Sequence, residues 1–262
     1  MIASGAALLE AAGLTGPLPP WLSPYRNNVE RLRVCANGAT SIANSLNLAV
    51  AEQAPVNLSA GALRFVPQLD LPNGEAYEAF IARTACVPTR DNLHDLFNGL
   101  VWLKFPQLKR RLNELQAQQL QQDGVMATRG PVRDALTLFD ENAAVLQAPE
   151  VITDALRVRD WQALFITHRA AWADATLTLF GHALMEKLTQ PRKAMTAHVW
   201  VIPECVDLQT YLTEVLTPEL LASKPHFPLP VLGVPGWWAA NEAPDYYEDI
   251  RVFRPLNTAR KG

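Results

Sequence analysis

His94 and Asp95 stand side by side, with Asn98 four residues beyond the histidine and Arg90 four before it. On a helix, positions i and i+4 share a face, so His94 and Asn98 point the same way and Asp95 sits about 100° round. His182 and Glu186 have the same i, i+4 spacing inside an apolar run. That spacing can seat two ligands on one metal, or it can be a hydrogen-bonded pair in which the carboxylate fixes the imidazole tautomer. Asp140 and Glu141 follow the apolar run Ala135–Phe139, a place suited to a metal ligand, a general base or a simple turn. Trp237 and Trp238, after Gly233-Val234-Pro235-Gly236, could floor a ligand pocket or staple the chain to its core. Cys86 is a candidate nucleophile, although a thiol in apolar surroundings is usually inert.

These groups need elements to hold them. Pro88 to Asn92 reads as a capping loop ahead of a helix over 93–104, and Pro106 opens a second helix running to Gln122. The basic run Lys109-Arg110-Arg111 falls on that helix and is assigned mostly to its solvated flank. Residues 133–146 read as a hairpin turning at Asp140-Glu141-Asn142, and 174–188 as a helix ended by Pro191. Before them come a loose arm over 1–25, pinned at its end by Trp21 and Tyr25. Two helices broken at Asn37-Gly38 follow, then an extended stretch over 60–72 and a short helix over 75–84. After them come a strand over 196–202 and an amphipathic helix over 207–221. The tail over 225–255 is dense in Pro, Gly and aromatic residues and is expected to wrap the domain as an ordered loop. The fold class expected is α+β, a helix-dominated single domain over 26–262 with a small sheet or hairpin.

Composition narrows the classes. The chain has 262 residues, 49% hydrophobic, which is ample for a packed core. With 23 Lys+Arg against 26 Asp+Glu the net charge is −3, which argues against nucleic-acid binding through a global positive field. Three widely spaced cysteines, Cys35, Cys86 and Cys205, make no disulfide framework and no zinc ribbon. They point to reduced thiols in a cytoplasmic protein. No 18-residue apolar run suggests a membrane span, and the N-terminus lacks the basic lead of a secretory signal. The GxxxxGK[ST], GxGxxG, GxSxG and HExxH motifs are all missing.

Several blocks taken together resemble a known family. Pro88 to Pro106, Arg133 to Glu141, Phe180 to Glu186, and Pro228 to Trp238, with the close over Tyr247–Asp249 and Val252–Pro255, are similar to the bacterial DUF3025 family. The similarity spans roughly 75–255. One departure is Ala143, where the family turns on glycine. The resemblance implies a proteobacterial domain without an assigned reaction, and it places His94, Asp95, Asn98, Asp140, Glu141, His182 and Glu186 inside the family's motifs.

The function expected is metal-assisted hydrolysis of a small anionic or phosphate-bearing substrate. His94, Asp140, His182 and Glu186 would hold a divalent Zn, Fe or Mn ion, and Asp95, Asn98 and Glu141 would act on the metal-activated water. Arg90 and Arg133, with Trp237 and Trp238, would bind the substrate. That scheme requires His94 and His182 to converge. The alternative is a non-catalytic module that binds a ligand or partner through the Pro/Trp-rich C-terminal segment. The oligomeric state is left open.

Overall fold

The computed structural model describes residues 5–123 and 130–256. Helices α1 (Gly5–Ala11), α2 (Arg26–Ala36) and α3 (Ile42–Ala51) come first, followed by the short strands β1 (Asn57–Leu58), β2 (Gly61–Ala62) and β3 (Arg64–Pro67). Next are α4 (Tyr77–Thr84), β4 (Cys86–Thr89), α5 (Leu93–Lys104), α6 (Pro106–Asp123), α7 (Pro131–Asn142) and β5 (Ala143–Gln147). The chain continues through α8 (Glu150–Val158), a π-helical turn (Ala163–Thr167), β6 (Thr176–Leu179), α9 (His182–Lys187) and β7 (Thr196–Val201). It ends with α10 (Leu208–Val215), α11 (Pro218–Ala222), β8 (His226–Pro230) and three short 3-10 turns. This is a helix-dominated α+β fold.

The main sheet has four strands in the order β6-β5-β7-β8. β5 runs antiparallel to β6 and parallel to β7, and β8 closes the edge antiparallel to β7. β5 is central because Ala143 to Leu146 are fully buried on both faces, leaving no polar side chain that would need water. A separate parallel pair, β3 with β4, delivers the chain into α5. One continuous apolar cluster runs from Leu8 to Phe253.

Four expectations are corrected. Residues 133–146 are a helix followed by a strand, not a hairpin. Ala135, Leu136, Phe139 and Asp140 are buried at helical spacing, and Asp140-Glu141-Asn142 form the last turn of α7. Residues 174–188 are not one helix, because Thr176-Leu177-Thr178-Leu179 form β6 and Gly181 starts the short α9. Pro218 splits 207–221 into α10 and α11, with Thr217 capping the second. The stretch before residue 26 is not a loose arm in its described part. Leu14 and Tyr25 are fully buried, and the Tyr25 hydroxyl donates to the Leu179 carbonyl at 2.6 Å. The tail wraps as expected but also contributes the edge strand β8. Gly124, just past the end of α6, lies outside the described residues.

Candidate functional site

The N-terminus of α5, the C-terminus of α7 and the N-terminus of α9 meet at one end of the sheet. The α5 start is fixed by Asn92, whose side chain accepts from the Asp95 N–H at 2.8 Å. The α9 start is fixed by backbone. The N–H groups of Phe180 and Gly181 both donate to the Ala143 carbonyl, at 2.9 and 2.8 Å. The approach is so close that a Cβ on Gly181 would lie 2.5 Å from the backbone of Glu141 and Asn142. Only glycine fits there, and the contact aims His182 at the end of α7. Asn142 ties that end to the sheet, donating to the Thr196 carbonyl at 3.0 Å.

Between these elements and α4 lies a polar cleft of about 530 Å³. Arg90, His94, Asp95 and Asn98 line it from the α5 side, and Arg133, Thr137, Asp140 and Glu141 from α7. The α7 set repeats at i, i+4, i+7 and i+8, one stripe of the helix. His182, Tyr77 and Glu78 close the wall.

At the cleft floor the side chains form a chain. Lys109 Nζ donates to Asp140 Oδ1 at 2.5 Å and to Asn98 Oδ1 at 2.8 Å. Asp140 Oδ2 lies 3.7 Å from His182 Nδ1. His182 Nε2 meets His94 Nε2 at 3.0 Å, with the rings edge-to-face. His94 Nδ1 reaches Glu186 Oε2 at 2.9 Å. His182 and Asp140 are buried, whereas the side chains of His94, on the cleft wall, and of its partner Glu186 are each about one-third exposed. His182 and Glu186 therefore share a helix but not a bond; the carboxylate supports the other histidine.

The electrostatics follow from burial. Desolvation pushes the Asp140 carboxyl up, but Lys109, His182 and His94 together outweigh it and hold the pKa below the usual carboxylate value. Burial, helped by the nearby Lys109 charge, drives His182 down to about 4 against the pull of Asp140, so this imidazole is neutral at physiological pH. Burial also raises the Glu78 carboxyl, with Lys109 and the Asn113 hydrogen bond opposing. The Tyr77 phenol is pushed well above its ordinary value by burial and by the acids around it, and its oxygen accepts from Asn98 at 3.1 Å.

Tautomers can be assigned from this geometry. His182 Nδ1 is buried without a hydrogen-bond partner, and the charged group nearest it is the Asp140 carboxylate. A proton on Nδ1 is attracted there and a lone pair is repelled. His182 Nε2 is then an acceptor, so His94 Nε2 carries the proton between the rings. His94 Nδ1 faces a carboxylate as well.

Other sequence candidates fall as follows. Asp95 is committed to Arg90: it accepts the Arg90 N–H at 2.6 Å and both guanidinium edges at 3.0 and 2.9 Å. Its acceptors are spent on holding the loop. Asn98 bridges Lys109 and Tyr77 and so positions them. Glu141 is exposed and Arg133 half-buried, both on the cleft wall. Arg133 and Asp134 make no ion pair with each other among the described residues. Trp237 and Trp238 lie away from the cleft, half-buried against the core, with Trp237 beside Trp21 at 6.1 Å. Cys86 is buried in β4 outside the cleft. Lys109 overturns its expected solvated placement, being 5% exposed. Sequence reasoning also passed over Tyr77 and Glu78. The signal for Lys109 was its shared face with Leu112, Asn113 and Gln116 at i+3, i+4 and i+7.

The metal set is corrected too. Among the described residues no three His, Cys, Asp or Glu side chains are grouped so as to hold an ion. The four expected ligands run in a line rather than around a point: both His94 nitrogens and Asp140 Oδ1 already face protein partners. Zinc requires donors converging at about 2.0–2.3 Å on one centre.

The fold and cleft define a helix-dominated α+β protein with a buried ionic network under a histidine-lined pocket. Residues 63–257 match the family described as Protein of unknown function (DUF3025), and the chain belongs to that family. No curated protein and no solved structure matches it. Among the described residues no helix is long and apolar enough to cross a membrane.

Proposed function

We propose that the cleft is an acid–base catalytic site acting on a small anionic substrate, hydrolysis being the reaction class. The observation that carries this reading is the Nε2–Nε2 contact of 3.0 Å between His94 and His182, set between two carboxylates at the wall of a polar pocket. A proton can leave or enter this chain at its exposed end, the His94–Glu186 pair, while neutral His182 accepts behind it. Arg133 on the cleft wall supplies positive charge for an anionic group, whereas the Arg90 guanidinium is paired with Asp95. The buried Asp140 carboxylate, bonded to Lys109, lies beside His182 Nδ1 and fixes the orientation of that ring. The scheme moves a proton through protein groups, in place of the metal-activated water expected from the sequence.

The test is hydrolysis of a panel of chromogenic phosphate and carboxylate esters by the wild type, His94→Gln and His182→Asn. Both substitutions should lower the rate by roughly 10²–10⁴, the usual contribution of a positioned acid–base group. Turnover that survives both substitutions, or no turnover across the panel, overturns the reading.

A further inference from the structure

A second cavity lies along the edge strand β8 and shares no lining residue with the cleft. It measures about 430 Å³ and is bordered by Arg159, Arg251 and Arg254, over a floor of Trp161, Pro228, Pro230 and Val252. We propose that it is a binding site for a phosphate-bearing small molecule with a flat or apolar body, independent of the chemistry in the cleft.

Three arginines border one concavity, Arg251 with a largely solvent-exposed side chain, and the carboxylate beside them, Asp249, is shared between Arg251 at 3.2 Å and Lys193 at 3.6 Å. Arg159 and Arg254 have no carboxylate partner among the described residues. Like charges gathered without a counter-charge repel one another, and a bound anion removes that cost. A guanidinium fork matches two phosphate oxygens at once, and a ligand of charge near −2 answers the excess better than a single carboxylate.

The rim is also held in place. Trp161 Nε1 donates to the Arg254 carbonyl at 2.8 Å, and Arg254 Nε donates to the Arg251 carbonyl at 3.0 Å. Trp161 stacks on Phe165 and meets Phe253 edge-on, so the floor is rigid. Arg159 ends α8 with φ of 54°, a left-handed position where glycine is the usual residue, yet here it carries a long cation at the cavity's edge. The prolines of β8 offer no N–H to a pairing strand, so this edge presents a pocket wall rather than a ladder for another chain.

The experiment is calorimetric titration of the full chain with AMP and with inorganic phosphate at low salt. AMP should bind saturably at one site, and more tightly than phosphate because the floor takes its base. Arg159→Gln and Arg254→Gln should each weaken AMP roughly tenfold or more, the loss expected for one charge-assisted hydrogen bond. Arg90→Gln and Arg133→Gln, in the cleft, should leave it unchanged, which separates failure of this proposal from failure of the cleft reading. Both rim substitutions are at the surface, and a melting curve confirms the fold. Absence of saturable binding overturns the proposal, as does binding lost with Arg133→Gln and kept in Arg159→Gln and Arg254→Gln. Equal affinity for AMP and phosphate overturns the assignment of an apolar body.

Discussion

Replacing Lys109 with methionine should invert the sign of the Asp140 contribution to the pH dependence of stability. The ammonium is buried against the Trp102 ring at 5.4 Å and bonded to Asp140 and Asn98. Methionine keeps most of the volume but leaves the Asp140 carboxylate buried without its cation. Breaking a buried pair from one side costs about 3–5 kcal/mol. For a chain of this length that is a loss of roughly 6–20 °C in Tm, at about 2–4 °C per kcal/mol. In the wild type the Asp140 pKa is depressed, so its stabilisation is present above the ordinary carboxylate pKa and is lost as pH falls through the depressed value. Without Lys109, burial is the dominant influence and the pKa is raised. A raised carboxyl pKa gives stability that is lost as pH rises through it. Between pH 7 and pH 5 the variant should therefore lose less Tm than the wild type, or gain, with His182 pulling the opposite way in both proteins. Lys109→Met with Asp140→Asn, which cannot ionise, should lose this slope and regain part of the Tm. The assay is thermal melting by circular dichroism from pH 4 to 8. A Lys109→Met protein melting within about 2 °C of the wild type, with an unchanged slope, would refute the buried-pair reasoning.

Three further outcomes are expected. His182, held down to about 4 by burial, should stay neutral in imidazole NMR spectra down to about pH 5. Its depressed pKa gives stability present above the ordinary histidine pKa and lost as pH falls from about 6.5 towards 4, and a midpoint at or above 6.5 would contradict this. Gly181→Ala should destabilise by at least about 2 kcal/mol, because its Cβ meets backbone rather than a movable side chain; denaturant unfolding measures this, and a neutral effect rejects the close approach. Elemental analysis of untagged protein, with melts before and after chelator, should find no stoichiometric metal. Stoichiometric metal that is lost in both His94→Ala and His182→Ala would restore the metal-assisted reading.

How much of this was legible in the sequence depended on range. Local chemistry marked α5, α6 and the break between α2 and α3, because the Asn92 cap, Pro106 and Asn37-Gly38 act within a few residues. The apolar run at 135–139 misled, since five consecutive nonpolar or weakly polar residues satisfy a strand as well as a helix. The deciding fact was that residues 135, 136, 139 and 140 are buried against other elements. Likewise Thr176–Leu179 looks helical until β5 supplies its ladder partner. His94 and His182 were identified as a pair that must converge, yet their partners were not. Glu186 supports His94 across 92 residues, and Lys109 finds Asp140 across 31. Neither pairing has any local trace in the chain.

The position of Lys109 also bears on what the cleft can do. A cleft walled by Glu78, Asp95, Asp140 and Glu141 reads at first as acidic, unsuited to an anion. Yet Asp95 is neutralised by Arg90, and Asp140 by an ammonium that faces away from solvent. Burial favours the protonated form of Glu78. What remains exposed is Glu141 at one end of the α7 stripe and Arg133 at the other, with His94, supported by Glu186, at the wall. The two ends of the stripe are eight residues apart, about 12 Å at 1.5 Å per residue. On the proposed acid–base reading, an anionic group would sit at the Arg133 end of this stripe. A substrate too short to span that distance should bind without turning over, so chain length rather than charge alone should select the substrate.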